Sequence, residues 1–397
     1  MPIDKNRPSE AWIGALRARF PCEREIERVL TRKLARRAGV GFAPLGLETL
    51  TAGIEALLRA ESIADFAVTE ARWLAGGASK LQVAFKLGWH QPDIGRCVTP
   101  MVLRMEPAES ISESSRLREF QIIKALDGVV PVPRAYWVDA EARYLPYPAI
   151  IYGFVEGVAK PSASSTKVTG VGTFMPPSLR PSLGADFTSH LACIHRTEWQ
   201  AADLSAFDKP APGLQAILWE LNHWERVWEE DAHEDVPLMR LASAWMRRHM
   251  PAVDHVSVVH GDYRTGNFLF DETARQITAW LDWEMAYLGD RHADLAWASK
   301  DLLGHLAEDG KTFLVGGLLP RAEFFARYEQ AADLPVVPAT LSFYDIFGTY
   351  KIVAICLATG YRAARNGKTH QDVLVAWLCG ISYSLLDDLR VKLEAVL

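Results

Sequence analysis

The chain has 397 residues, of which 49% are hydrophobic and 23% charged, and its formal net charge is −6 at pH 7. This composition is typical of a globular enzyme with one large or two modest domains, and the negative charge argues against a nucleic-acid or anionic-membrane partner. Because no apolar run approaches the length of a transmembrane span and the N-terminus lacks a signal-peptide core, we expect a cytoplasmic protein.

The cysteines indicate neither a disulfide framework nor a zinc site. There are five, and no two are spaced as C-x-x-C: Cys22, Cys97, Cys193, Cys356 and Cys379. We therefore expect free thiols in a reducing compartment.

Residues 1–61 are predicted to form a helical extension that packs on the lobe formed by residues 62–152. Apolar residues recur at helical spacing between residues 23 and 37, and again between residues 47 and 58. The first of these helices has a basic face, which we expect to be solvated, with an anionic partner as the alternative. Its members are Arg32, Lys33, Arg36 and Arg37.

Residues 62–152 are predicted to form a nucleotide-binding lobe. Strand-like segments flank a glycine-rich turn at residues 76–80, and backbone N–H groups in such a turn can contact phosphates. The turn does not match G-x-G-x-x-G, so an ordinary hairpin turn is the alternative. The candidate phosphate contacts are Gly76, Gly77, Ser79 and Lys80. A strand at residues 97–105 and a helix at residues 115–126 follow.

The middle of the chain is predicted to be a hinge, a loop and a set of helices. An apolar strand at residues 149–152 precedes Gly153, and the Ser-, Thr-, Gly- and Pro-rich stretch 160–181 is either a substrate loop or a surface excursion. His195 closes the next helix and is interpreted as a packing residue, since no acid or nucleophile lies near it in sequence.

Residues 256–282 carry the strongest chemical signal. A β-branched strand leads into His260-Gly261-Asp262, an apolar strand follows at residues 268–270, and a second strand at residues 277–281 stops at Asp282. This pattern predicts a catalytic loop followed by a hairpin, with Asp262, Asn267 and Asp282 presented at strand ends.

That trio suits phosphoryl transfer, in which a protein positions a hydroxyl and holds divalent metal on a triphosphate. An Asp followed five positions later by an Asn has the spacing H-x-D-x-x-x-x-N. Asp262 would accept the proton of the acceptor hydroxyl, and Asn267 and Asp282 would bind Mg²⁺ through oxygen atoms. A turn capped by an Asn is the alternative reading of His-Gly-Asp alone.

Three motifs, H-G-D-Y-R-T-G-N-F-L-F, W-L-D-W-E and L-G-D-R-H-A-D-L-A-W, resemble the aminoglycoside phosphotransferase-like kinases. The variety they resemble most is found beside, or fused to, acyl-CoA dehydrogenases. The resemblance implies an α+β, bilobal, protein-kinase-like fold. A small antiparallel-sheet N-lobe would occupy residues 62–152, and the hinge and a mainly helical C-lobe would occupy residues 153–397.

The resemblance also implies several roles. Arg104 would stand where protein kinases have the Lys that bridges phosphates, with Glu119 as its ion-pair partner, although Arg and Lys are not interchangeable. The backbone of Ile151 and Gly153 would meet the adenine of ATP or the guanine of GTP. Asp294 would brace the catalytic loop rather than touch substrate.

The function predicted is transfer of phosphate from ATP, with Mg²⁺, to the hydroxyl of a small-molecule metabolite. The family variety suggests a hydroxyacyl-CoA as acceptor. A catalytically silent nucleotide-binding or scaffold protein is one alternative, motivated by Arg104 and the irregular glycine turn. An aminoglycoside-resistance kinase is another, motivated by the acidic turn 229–235. Four residues are candidates for the acceptor cleft: Tyr350, Lys351, Tyr361 and Arg362.

Overall fold

A five-stranded antiparallel sheet forms the N-terminal lobe of the computed structural model, which describes residues 4–39, 41, 43–74, 80–92, 94–162, 171–367 and 372–397. Its strands lie in the order β1-β2-β3-β5-β4. They are β1 (Ala67–Trp73), β2 (Leu81–Gln91), β3 (Gly95–Met105), β4 (Ala135–Asp139) and β5 (Ala149–Gly153). Strand β1 has a bulge between Thr69 and Arg72.

Three helices precede this sheet: α1 (Glu10–Arg19), α2 (Arg24–Arg36) and α3 (Leu47–Ala60). Helix α3 packs on the sheet, where Leu50 and Ile54 join the core that contains Leu103 and Ile151. The opposite face of the sheet packs against α4 (Arg116–Leu126), which begins where the side chain of Ser115 accepts the backbone N–H of Arg118. Alternating strand residues therefore serve two cores.

Helix α2 packs against both lobes, and not on the N-lobe alone as predicted. Leu30 lies in the core of the C-terminal lobe, and the ammonium of Lys33 is 2.8 Å from Glu230 and 3.0 Å from Asp231. Arg37 also contacts Asp231. The expectation that residues 1–61 pack on the N-lobe holds for α3 and is incomplete for α2, which contacts the N-lobe through Arg28, 2.6 Å from Glu141, and the C-lobe through Lys33. The basic face is likewise only partly solvated, because buried carboxylates 200 residues away neutralise two of its members.

The C-terminal lobe is mainly helical, as predicted. Its α-helices are α5 (Arg180–His195), α6 (Gln215–Asp231), α7 (Pro237–Arg248), α8 (His292–Ala298), α9 (Arg321–Ala332), α10 (Pro338–Val353), α11 (Tyr361–Arg365) and α12 (Asp372–Glu394). A π-helical turn, Ala354–Gly360, joins α10 to α11, and short 3₁₀ turns lie at Trp199–Ala201, Trp283–Met285 and Asp301–Leu303.

The helical run Pro338–Arg365 is long and apolar enough to cross a membrane. An 18-residue stretch within it has a mean hydropathy of 1.4, but 72% of that stretch is buried inside the protein. The expectation that no apolar run approaches the length of a transmembrane span is therefore wrong, because this helical run has both the length and the apolar composition. Its burial is that of a core helix. The five cysteines are free, as predicted.

The C-lobe also contains short strands. They are β6 (Val256–Val259), β7 (Phe268–Asp271), β8 (Gln276–Trp280), β9 (Tyr287–Asp290), β10 (His305–Leu306), β11 (Phe313–Val315) and β12 (Leu319–Pro320). Those from β6 to β9 flank the catalytic loop. The β7–β8 hairpin was predicted and is present, with Phe268 opposite Trp280. Strand β9 was not predicted, and its Gly289 pairs with Ser257 of β6.

Candidate active site

The catalytic loop follows β6 and is held in place by Asp294 from α8. One carboxylate oxygen of Asp294 accepts the backbone N–H of His260 at 2.7 Å, and the other accepts that of Gly261 at 2.9 Å. Burial opposes ionisation of Asp294, but its hydrogen bonds with His195 and with the backbone N–H of His260 outweigh it, so the pKa of Asp294 falls below its ordinary value. The predicted bracing role of Asp294 is confirmed.

His195 is a packing residue, as predicted. It is fully buried, its Nε2 lies 3.2 Å from Asp294, and its Nδ1 lies 2.7 Å from the hydroxyl of Tyr328. Burial lowers the pKa of the imidazole despite the nearby carboxylate. A neutral ring can donate from Nε2 and accept at Nδ1, which fits both contacts.

Gly261 occupies a position that no other residue fits. Its φ is 81°, and an added Cβ would lie 2.4 Å from the backbone oxygen of Met285. The carbonyl of Gly261 accepts a hydrogen bond of 2.8 Å from the ammonium of Lys351, a buried lysine whose Nζ lies 4.9 Å from the ring centre of Trp297. Lys351, a candidate for the acceptor cleft, thus supports the catalytic loop.

The carboxylate of Asp262 accepts hydrogen bonds from three side chains. Trp297 Nε1 lies 2.7 Å from Oδ1, Arg264 Nε lies 2.9 Å from Oδ1, and Asn267 Nδ2 lies 2.7 Å from Oδ2. Sequence reasoning missed the first two. Trp297 lies three residues after Asp294, on the same face of α8, so helical spacing from the bracing Asp was the signal that could have found it.

Asn267 and Asp282 are brought together across the hairpin. The backbone oxygen of Asn267 accepts the N–H of Leu281 at 2.8 Å, which fixes Asp282 one residue further on. Because the amide nitrogen of Asn267 faces Asp262, its amide oxygen is the atom that remains for a cation. Asp282 itself adopts a left-handed conformation, with φ 67°.

Arg104 and Glu119 form the predicted ion pair, with Nε and Oε1 separated by 3.3 Å. The same guanidinium also contacts Asp282. Burial raises the pKa of Asp282 to about 6, with Glu284 and Asp262 adding to the effect and Arg104 opposing it. The candidate metal ligand is thus in contact with a buried cation, Arg104, of which 5% is exposed.

Lys80 lies in a second part of this buried charge cluster. Its ammonium is 2.9 Å from Glu106 and 2.8 Å from Glu284, and 1% of the residue is exposed. Neither glutamate was singled out from the sequence. Glu284 belongs to the motif W-L-D-W-E, and that motif was the available signal. The phosphate-contact roles of Lys80 and Arg104 stay predictions, and Gly76, Gly77 and Ser79 lie outside the described residues.

The two hinge residues lie on β5. Ile151 is buried opposite Leu103, and the backbone N–H of Gly153 donates to the oxygen of Arg134 at 2.9 Å. The predicted contact of this segment with a purine base stays a prediction. The hinge is tied to the catalytic hairpin, because Val158 and Phe270 exchange backbone hydrogen bonds of 2.9 and 3.0 Å.

The acidic turn 229–235 is not a uniformly exposed surface. Glu230 and Asp231 are buried, and Lys33 binds both carboxylates. Arg37, Lys33 and Arg362 together hold the pKa of Asp231 well below its ordinary value, although burial opposes them. Arg362, another candidate for the acceptor cleft, donates to Asn6 at 2.8 Å.

Comparison with known proteins identifies the family. The model of the phosphotransferase enzyme family matches residues 71–342, more than half of the chain. Acyl-CoA dehydrogenase family member 10 of Mus musculus is 26% identical over 279 residues, covering 68% of this chain and 25% of that protein. An Arabidopsis thaliana relative, described as the probable acyl-CoA dehydrogenase IBR3, is 25% identical over 281 residues, covering 66% of this chain and 33% of its own length. The chain therefore spans a quarter to a third of these relatives.

Solved structures show the same fold. A Ralstonia eutropha protein assigned to the aminoglycoside phosphotransferases superposes with a TM-score of 0.61 at 23% identity, covering 87% of this chain and 98% of that one. Macrolide 2'-phosphotransferase type I has a TM-score of 0.53 at 16% identity, with coverage of 87% and 99%. An aminoglycoside 2'-phosphotransferase IIIa variant in complex with GDP has a TM-score of 0.51 at 14% identity, with coverage of 85% and 97%. The bilobal fold predicted from the sequence is confirmed.

Proposed function

This chain belongs to the phosphotransferase enzyme family, and from that premise we propose that it transfers the γ-phosphoryl group of ATP to a hydroxyl of a small-molecule metabolite. The observation that carries the proposal is the junction of Asp262, Asn267 and Asp282. Asn267 touches the Asp262 carboxylate with its side chain, over 2.7 Å, and the residue before Asp282 with its backbone, over 2.8 Å.

In the proposed reaction, Asp262 accepts the proton of the acceptor hydroxyl as its oxygen bonds to the γ-phosphorus. The bond between that phosphorus and the bridging oxygen breaks, and ADP leaves. The three donors around Asp262 fix the direction of its carboxylate, which is the positioning that this chemistry requires. Oxygen ligands suit Mg²⁺, so Asn267 Oδ1 and the Asp282 carboxylate fit its preference, and the ion would offset phosphate charge there.

The phosphate donor is proposed to be ATP, with GTP as the alternative. The fold is shared with a protein seen in complex with GDP. Arg104 lies where its guanidinium can exchange the Asp282 carboxylate for phosphate oxygens, since a planar fork binds either group bidentately.

The acceptor is proposed to be a hydroxylated metabolite, with a hydroxyacyl-CoA as the first candidate. The support is that the relatives similar to this chain are named acyl-CoA dehydrogenase family members. An aminoglycoside is less well supported, because two of the acidic residues that could attract a polycation are buried in ion pairs. We expect the compartment to be reducing, and the site to bind neither nucleic acid nor membrane.

The test is ADP release with ATP and Mg²⁺ against hydroxyacyl-CoAs, aminoglycosides and amino alcohols. Asp262→Ala should lower the rate with the responding acceptor by about 10²- to 10⁴-fold, the contribution of a general base. Asp301→Ala is the matched control, because its side chain is 86% exposed in a surface ion pair. Retained transfer by Asp262→Ala would overturn the assignment of the base. Nucleotide binding without ADP release across the panel would favour the catalytically silent alternative.

A further inference from the structure

The connection between β3 and α4, residues 106–115, is an irregular segment that is nevertheless buried. Glu106 is 2% exposed, Ser110 1% and Ser114 3%. Irregular connections normally lie on the protein surface, because their backbone polar groups need water. This β3–α4 segment therefore depends on specific partners to stay inside the protein.

Lys80 is the main partner. Its ammonium lies 2.9 Å from Glu106, 2.8 Å from the hydroxyl of Ser110 and 2.9 Å from the backbone oxygen of Ser112. It also lies 2.8 Å from Glu284, which follows the catalytic hairpin in the other lobe. An ammonium has three N–H donors, so these four acceptors saturate it. One cation thus fastens the segment to the catalytic core.

The segment covers space beside the catalytic loop. Two cavities of about 20 and 10 Å³ lie between it and α6, which is room for a water molecule at most. Ser112 and Glu113 line both of them. The larger cavity is also lined by Glu220 and by Lys351, whose ammonium binds the carbonyl of Gly261.

Trp224, which lines both cavities, has an unused donor. The residue is 4% exposed, and its Nε1 has no hydrogen-bond partner among the residues that the structure describes. An indole N–H can only donate, so it requires an oxygen or another acceptor. A buried donor of this kind beside a catalytic loop is explained if a ligand supplies the acceptor when the cavity is larger.

We propose that the β3–α4 segment is a gate over the acceptor site, fastened by Lys80, and that nucleotide binding opens it. This inference rests on the proposed function. Phosphate oxygens compete with Glu106 and Glu284 for the Lys80 ammonium. Loss of Lys80 frees the segment at Ser110 and Ser112, whereas Glu106 keeps its ion pair with Arg116 at 3.0 Å. The opened space is walled by Glu220, Trp224 and Lys351, so it takes an acceptor that presents hydroxyl or carbonyl oxygens. Acceptor binding then follows nucleotide binding.

The test is hydrogen–deuterium exchange of the full chain with and without the ATP analogue AMP-PNP and Mg²⁺, with analogue binding measured separately by calorimetry. The amides of residues 108–115 should exchange about tenfold faster or more when the analogue is bound, as expected for loss of a local fastening. Lys80→Met should show the faster exchange without nucleotide. Lys86→Met is the control, because Lys86 lies on the same β2 strand but pairs with the exposed Glu70.

The outcomes separate the gate from the function. If the analogue binds and residues 108–115 exchange at the same rate or more slowly, the gate is refuted and the phosphotransferase proposal stands. If AMP-PNP and its guanine counterpart do not bind, both proposals fall. Lys80→Met removes one of the buried cations that pair with Glu106 and Glu284, and Arg116 remains for both. Should the variant fail to fold, the comparison of the wild-type protein with and without analogue still tests the gate.

Discussion

The indole Nε1 of Trp297 donates a hydrogen bond to Oδ1 of Asp262 over 2.7 Å. Trp297 is 8% exposed, and it lies one helical turn beyond Asp294, which holds the backbone of the same loop. A single helix, α8, therefore fixes both the position of the catalytic loop and the direction of its carboxylate. Trp297 acts through Asp262, so it is a positioning residue.

Trp297→Phe should lower acceptor phosphorylation by about tenfold to a hundredfold, because a hydrogen bond to a charged group contributes about 1.5–3 kcal/mol. The affinity for AMP-PNP should not change, and the loss should appear in kcat rather than KM. Trp199→Phe is the matched control, since Trp199 is also buried and donates over 2.8 Å to a backbone oxygen, that of Val256. Equal losses in both variants would argue against a positioning role.

Gly261→Ala should abolish activity and destabilise the protein. The left-handed backbone costs about 1–2 kcal/mol for a residue with a Cβ, and the overlap with the Met285 oxygen adds about 1–3 kcal/mol. Gly310→Ala is the control. It has the same left-handed backbone strain, because φ is 66°, but no steric overlap, because nothing lies within 4 Å of the added Cβ. Urea unfolding of the two variants should therefore differ by the overlap alone. If Gly310→Ala is as unstable, the contact with Met285 is not the cause.

Binding of Mg²⁺ with nucleotide should weaken as the pH falls through about 6, the raised pKa of Asp282. Only the ionised carboxylate binds the metal, so protonation competes with it, and affinity should rise with pH and level off above about pH 7. Calorimetry with AMP-PNP at constant free Mg²⁺ measures this. Asp282→Asn is the control, because the nucleotide phosphates titrate equally in both proteins. The same pH dependence in Asp282→Asn would show that the phosphates are responsible.

Lys33→Met should lower the free energy of unfolding by about 3–5 kcal/mol, because it leaves Glu230 and Asp231 with fewer buried cations. The side chain of Lys33 is 2% exposed, and both carboxylates are fully buried. Arg36→Met on the exposed side of α2 should change stability by no more than about 0.5 kcal/mol. Chemical unfolding compares them. If both variants change the free energy of unfolding by a similarly small amount, the attraction within the buried ion pairs does little more than offset the cost of desolvating them.

The sequence was informative where the functional residues lie close together along the chain. Asp262, Asn267 and Asp282 lie in one continuous stretch whose alternation predicts the hairpin, so local rules were enough to bring them together. The pairing of Arg104 with Glu119 needed the kinase-like resemblance, since the two residues lie on different elements. The first prediction depends on spacing, which is visible without a structure, and the second depends on the resemblance.

What the sequence could not show depends on partners far along the chain. Lys33 belongs to a basic helix face that was expected to be solvated, but its ammonium is buried against the carboxylates of Glu230 and Asp231. Lys80 was predicted as a phosphate contact, and nothing in the sequence indicated its ion pair with Glu284, which lies in the other lobe. Strand β9 has no alternating pattern of apolar residues, and its pairing with β6 defines it. Tertiary context decided each case.

The docking of α2 on the C-terminal lobe has a consequence for the order in which the molecule assembles. Lys33 and Asp231 are separated by 198 positions. At a ribosomal speed of about 5–20 residues per second, the helix emerges roughly 10–40 seconds before its binding surface exists. Its apolar side, including Val29, Leu30 and Leu34, is exposed for that interval. Helix α2, synthesised second, is thus among the last helices to complete its packing, and in the cell its apolar side needs protection by a chaperone during that interval.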